Sequence, residues 1–434
     1  MTPIQLHPIS SPFAATVTPP GSKSLTNRAL VLAALADGLS TLSNILVADD
    51  TAVMLDSLER LGFPLDLIGD HTSVRVHGSS GKVPRPAADL SCGNSGTTIR
   101  FLAALCTLGH GAFSLDGVPR MRQRPIKELI DKLRNLGARA NYLAADGFPP
   151  VQILADGLAG GIFRFGAAAS SQYLSAILMI APYCRNEVSV DLEPGQTSWP
   201  YVAMTMRIMD EFGITCELIK DPNTGNPHRI VVPQGAYAAR EYQIEPDASN
   251  ASYFLALAAI HPGSRVTLSG LGRRSLQGDI HFADVLKQMG ADVIMAADSI
   301  TITGTKTLEA IDTDLSAMPD TAQTLAVAAL FAKGQTTIRG LKTLRVKETD
   351  RLAALSNELT KLGAKIEIES DTLIINPPRS FTSAAIDTYD DHRMAMSFSL
   401  AATKIPGVTI NDPECVNKTY PNYFNDLQKA LNSK

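Results

Sequence analysis

A helix-to-strand junction recurs five times along this chain at a nearly constant interval, and no other feature restricts the fold as much. Leu61-Gly62-Phe63, Leu136-Gly137-Ala138, Phe212-Gly213-Ile214, Met289-Gly290-Ala291 and Leu362-Gly363-Ala364 each follow a helix-like pattern and precede an alternating, strand-like one. The five glycines stand 75, 76, 77 and 73 residues apart. Self-similarity at such a period marks one structural unit copied along the chain. Glycine suits the position, because the residue that ends a helix often needs a positive φ.

A second series interleaves with the first. Small-residue apolar helices are predicted at 27–36, 98–108, 171–181, 252–260, 321–332 and 393–402. Ala and Leu on every side of these segments predict burial of most faces. Each repeat then reads as apolar helix, strand, second helix, glycine and strand pair, which is an α/β pattern. The sixth repeat stops at its second helix, 423–431, and the strand-like residues 4–18 are expected to complete it. Residues 220–247, rich in Pro, Gly and Asn, read as irregular and as the domain boundary. A chain of 434 residues exceeds one core. Two three-repeat domains follow, 21–243 and 1–20 plus 244–434, the second completed by the N-terminal strand.

Chemistry-bearing residues gather at the predicted helix starts. They are Gly21-Ser22-Lys23-Ser24 with Arg28, Gly93-Asn94-Ser95-Gly96-Thr97, Arg124-Pro125, Ser170-Ser171-Gln172, Ser198-Trp199-Pro200-Tyr201 and Asp247-Ala248-Ser249. Pro319-Asp320, Lys347-Glu348-Thr349-Asp350-Arg351, Asp391-His392-Arg393 and Lys418-Thr419 complete the series. Any one Ser, Thr or Asp here reads equally well as a plain N-cap. Gly21-Ser22-Lys23-Ser24 looks like half a nucleotide P-loop, but Val17 and Thr18 stand where its earlier glycine belongs. The cations carry more weight. Lys23, Arg28, Arg124, Lys347, Arg351, Arg393 and Lys418 oppose the helix dipole, in a chain whose net charge is −4. Arg forks bind carboxylate or phosphate and Lys supplies a mobile point charge, so seven cations suit two small ligands bearing phosphate and carboxylate. Asp320 and Glu348 stand among them as candidate proton carriers.

Composition excludes several classes. A net charge of −4 gives no global reason to bind nucleic acid or an anionic membrane. Five scattered cysteines without CxxC, and eight histidines without ligand spacing, argue against disulfides and metal. Residues 1–20 lack a secretory pattern, and the longest apolar runs, such as 173–180, are too short to span a bilayer. The expectation is a cytoplasmic, monomeric enzyme without metal or cofactor.

Taken in order, these motifs resemble the 5-enolpyruvylshikimate-3-phosphate synthase family along essentially the whole chain. The segments around Lys23 and Arg351 are the most specific. The resemblance implies an α/β fold of two domains, each of three βαβαββ units (the inside-out α/β barrel type), closing around substrate. It implies transfer of the enolpyruvyl group of phosphoenolpyruvate to the 5-hydroxyl of shikimate 3-phosphate, with release of phosphate through a tetrahedral intermediate. Lys23, Ser24, Arg28, Ser170, Ser171, Gln172, Ser198, Asp320, Thr343 and Lys347 would hold shikimate 3-phosphate. Thr343 stands where many members have Asn. Lys23, Asn94, Gly96, Arg124, Gln172, Arg351, Arg393 and Lys418 would hold phosphoenolpyruvate. Asp320 would take the hydroxyl proton, and Glu348 or Lys23 would protonate the methylene. The rivals are UDP-N-acetylglucosamine 1-carboxyvinyltransferase, whose mobile-loop Cys has no counterpart in 118–125, and a non-catalytic anion-binding protein on the same scaffold.

Overall fold

The computed structural model describes residues 2–166, 170–195 and 198–433, and it divides into two compact units. A continuous unit comprises Gly21–Ile244, and a split unit joins the residues up to Pro20 to those from Glu245 onward. The continuous unit carries helices α1 (Lys23–Leu35), α2 (Asp49–Arg60), α3 (Gly96–Cys106), α4 (Lys127–Asn135), α5 (Ser171–Ile180) and α6 (Trp199–Glu211). The split unit carries α7 (Ala248–Ile260), α8 (Phe282–Gln288), α9 (Ala322–Ala329), α10 (Arg351–Lys361), α11 (His392–Ala402) and α12 (Tyr423–Asn432).

The second repeat shows the plan. Strands Ala87–Ser91 and His110–Asp116 run parallel with α3 between them in sequence, and Val151–Asp156 and Arg139–Tyr142 add two antiparallel strands. A parallel pair needs such a crossover, which the apolar helix supplies. The third repeat copies this with Gly161–Phe165, Val188–Leu192, Pro227–Val232 and Glu217–Lys220. All thirteen residues of α7 and all eleven of α3 are buried, whereas strands such as Ser73–His77 alternate buried with exposed. The first helices therefore form the interior, and the sheets present one face outward. The five junction glycines have φ of 93°, 103°, 93°, 101° and 97°, a region costly for any residue with a Cβ.

The structure corrects three expectations. Residues 4–18 do not act as one strand: Ile4–Gln5 pairs with Thr409–Ile410 in the sixth repeat, while Ala14–Val17 leads the fourth, parallel to Arg265–Ser269. The leading strand of the first repeat comes instead from Glu241–Gln243, parallel to Leu39–Ser43. A period-2 pattern marks a strand but not its partner, which long-range packing selects. Residues 220–247 are not irregular, for they contain Pro227–Val232 and Glu241–Gln243; Pro227 is the first residue of its strand, where a missing N–H is tolerated. Helices α1 and α7 also begin about a turn early and α3 two residues early, because Ser22, Asp247 and Ser95 are their N-caps. Helix α9 instead stops at Ala329, as Ala332–Lys333 pairs with Leu308–Glu309.

Among the described residues no helix is long and apolar enough to cross a membrane. One buried group should make the split unit acid-sensitive. His261 follows α7, bonds Thr403 Oγ1 at 2.8 Å and meets the edge of Phe13. Burial, with the charge of Lys404, pushes its imidazole down to about 3. A depressed folded pKa stabilises fully above the unfolded value near 6.5 and loses that contribution as pH falls towards 3. Up to about 3 kcal/mol should disappear between pH 6.5 and 4. Urea denaturation at the two pH values should show this loss in the wild type, and a smaller one in His261→Gln.

Candidate anion-binding and catalytic site

In the continuous unit the site residues occupy the first turns of α1, α3 and α5. Ser22 caps α1 through the Leu25 N–H, placing Lys23 and Ser24 in its first turn. Lys23 Nζ lies 3.1 Å from Asp50 Oδ2, a carboxylate in the first turn of α2. Asp50 carries no motif signal; its only clue is its place at a second-helix start, equivalent to those that bear Arg124 and Arg351.

Arg28 lies deeper than its motif suggests, in the second turn of α1 and 1% exposed. Its guanidinium donates to Thr205 Oγ1 (2.7 Å), Ser24 O (3.0 Å), Ser175 Oγ (3.1 Å) and Tyr201 O (3.3 Å), and it sits over the Phe101 ring. Burial pulls it down to about 9, so it remains a cation at neutral pH. Arg28 thus ties α1 to α5 and α6, and its bonds are to the protein itself.

Arg124 follows a short 3₁₀ turn, Met121–Gln123, and its Nη1 donates to Asn94 O (2.8 Å) and Asn94 Oδ1 (3.2 Å). Glycine at 96 leaves room for this: a Cβ there would lie 2.4 Å from Arg124 Nη2 and 2.9 Å from Arg100 Nη1. Any side chain at 96 displaces a guanidinium from the N-terminus of α3. Arg100 donates to Gln172 Oε1 and to Pro125 O (3.3 Å), and Gln172 Nε2 donates to Thr97 Oγ1 (3.0 Å). Asn94, Gly96, Arg124 and Gln172 therefore form one group, with Arg100 stacked on Tyr173 behind it. Ser170 caps α5, and Ser171 opens it. Ser198, buried before α6, has φ 56° and ψ 38°. A serine held in this left-handed region costs about 1–2 kcal/mol, and such strain gathers at functional sites.

In the split unit one carboxylate faces three cations. Asp320, in the 3₁₀ turn Pro319–Thr321 ahead of α9, lies 3.3 Å from Lys347 Nζ, 3.3 Å from Arg351 Nη1 and 3.0 Å from Arg393 Nη2. Arg351 begins α10 and is 1% exposed. Asp391 grips it from the N-cap of α11, at 2.7 Å to Nε and 3.2 Å to Nη2, while Glu348 holds Nη2 at 2.9 Å. Burial alone would lower the Arg351 pKa, but Asp391, Glu348 and Asp320 together raise it above its ordinary value. Arg393 also bonds the hydroxyl of Tyr253 at 3.3 Å, and burial raises that phenol to about 12. Thr343 is buried in the turn Lys342–Val346, its hydroxyl without a hydrogen-bond partner. Lys418 is buried at the end of Pro413–Lys418, ahead of α12, where its charge opposes the burial that raises the Asp390 carboxyl.

Each unit thus gathers cations at helix starts in a chain that is acidic overall, an arrangement suited to small anions, with carboxylates of the proton-carrying type among them. Among the described residues no group of three or more His, Cys, Asp or Glu could hold a metal ion. The family model described as EPSP synthase (3-phosphoshikimate 1-carboxyvinyltransferase) matches residues 8–427. The chain belongs to the EPSP synthase family. Its relatives include the 3-phosphoshikimate 1-carboxyvinyltransferase of Shewanella pealeana, 45% identical over 428 residues covering 98% of this chain and 99% of that one. Another is that of a Sulfurovum species, 46% identical over 431 residues and 99% of each chain. Among solved structures, an EPSP synthase from Acinetobacter baumannii superposes with a TM-score of 0.80 at 28% identity, covering 98% of this chain and 97% of the other. Membership of the EPSP synthase family accounts for the α/β repeat and for motifs spread over the whole sequence.

Proposed function

We propose that the chain is a 3-phosphoshikimate 1-carboxyvinyltransferase, moving the enolpyruvyl group of phosphoenolpyruvate to the 5-hydroxyl of shikimate 3-phosphate and releasing phosphate. The observation that carries this reading is Asp320, a half-buried carboxylate held by Lys347, Arg351 and Arg393. A purely anion-binding protein gains nothing from a carboxylate that competes with its ligand. A transferase needs one to accept the hydroxyl proton. Ligand carboxylate or phosphate arriving at Arg351 and Arg393 would replace Asp320 as their partner and free its oxygens for that proton.

Shikimate 3-phosphate is assigned to Lys23, Ser24, Arg28, Ser170, Ser171, Gln172, Ser198, Asp320, Thr343 and Lys347. Phosphoenolpyruvate is assigned to Lys23, Asn94, Gly96, Arg124, Gln172, Arg351, Arg393 and Lys418. As the hydroxyl oxygen bonds to C2 of phosphoenolpyruvate, the methylene takes a proton from Glu348 or Lys23, giving a tetrahedral adduct. Loss of a methyl proton and of phosphate then restores the double bond. Lys23, Arg124 and Lys418 would stabilise the charge on the leaving phosphate.

The rival with a nucleophilic cysteine has little support. No cysteine lies in 118–125, and burial pushes the thiols of Cys184, Cys216 and Cys415 up to about 12 and those of Cys92 and Cys106 further. Phosphate release should appear with phosphoenolpyruvate plus shikimate 3-phosphate. Release only with UDP-N-acetylglucosamine would refute the assignment.

A further inference from the structure

Asp50 lies outside every motif, yet it touches the cation assigned to both ligands. Its carboxylate is 4% exposed and lies 3.1 Å from Lys23 Nζ. Its backbone carbonyl accepts from Thr98 Oγ1 at 3.2 Å, and Thr98 in turn bonds Ser95, the cap of α3. One residue of α2 therefore fastens the ammonium of α1 at one end and the first turn of α3 at the other. The helix dipole favours an anion at that position, so Asp50 is a fixed, charged anchor.

We infer that Asp50 is the positioning residue for Lys23, holding its ammonium so that the remaining donors point at substrate; this rests on the reading of Lys23 given above. A lysine stem has four rotatable carbons and an ammonium three donors. Directing one donor to a rigid carboxylate removes rotamers that binding would otherwise have to freeze. The scaffold supplies a contrast. Asp279 is a buried acid in the turn leading into α8, and it accepts a hydrogen bond from Ser249, in the first turn of α7. The fold thus places an acid at this corner of the fourth repeat too, but there it meets a hydroxyl.

The test is a double-mutant cycle read in kcat/KM and in shikimate 3-phosphate affinity by calorimetry, with thermal unfolding as the check on fold. Asp50→Asn should lower kcat/KM by roughly 10- to 100-fold, and Lys23→Met by more. The double variant should be no worse than Lys23→Met alone, because the inferred effect of the Asp50 carboxylate on turnover passes through that lysine. Asp50→Glu keeps the charge and the helix start but shifts the anchor by one methylene, so it too should lower kcat/KM with an unchanged unfolding temperature. Fully additive losses, or an equal loss in Asp279→Asn, would overturn the inference and leave Asp50 as scaffold. If Lys23→Met itself binds and turns over normally, the assignment of Lys23 fails instead.

Discussion

Asp320→Asn should lower kcat by about 10²–10⁴-fold while leaving phosphoenolpyruvate affinity unchanged or improved. The side chain keeps its shape, so the turn Pro319–Thr321 has no reason to move. What is lost is the group that accepts a proton, together with a competitor for cations. Lys347, Arg351 and Arg393 all engage this carboxylate, and a ligand anion must displace it. An amide competes less well. Single-turnover kinetics alongside equilibrium titration separate the two effects: chemistry should collapse as binding holds. Near-normal turnover would remove Asp320 from the mechanism, and parallel losses of kcat and affinity would make it a binding group instead.

Arg351→Leu should be the most destabilising of the site variants, by about 3–5 kcal/mol. This guanidinium is 1% exposed and joins Asp391, Glu348 and Asp320; Asp391 is wholly buried. Removing it strands buried carboxylates without their counter-ion. Leucine fills much of the space, so the cost is electrostatic more than steric. Adding Asp391→Asn should therefore recover part of the loss, since one stranded charge disappears with it. Urea denaturation of the single and double variants measures this. A double variant less stable than the single would show that packing, not charge, decides the outcome. Neither variant should bind phosphoenolpyruvate measurably.

Much of the architecture was legible because it is periodic. Gly62, Gly137, Gly213, Gly290 and Gly363 mark a backbone conformation that only glycine adopts cheaply, so a local steric rule appears directly in the residue type. Lys23, Arg124, Lys347, Arg351 and Arg393 were legible for the opposite reason: they break a local rule, setting cations where the helix dipole prefers anions. Strand partners were not legible. Ala14–Val17 and Glu241–Gln243 serve repeats far from them in sequence, and neither segment differs in composition from a strand paired with its neighbour.

By itself the sequence determined the repeat, the α/β class and the cations, because helix periodicity, glycine sterics and charge placement act within a few residues. Tertiary structure alone decided who meets whom. It buried Arg28 among Thr205, Ser175 and Tyr201, set Asp391 against Arg351, and brought Asp50 to Lys23 across 27 residues of chain. Such pairings depend on the packing of helices separated in sequence, and no local pattern of residues records them.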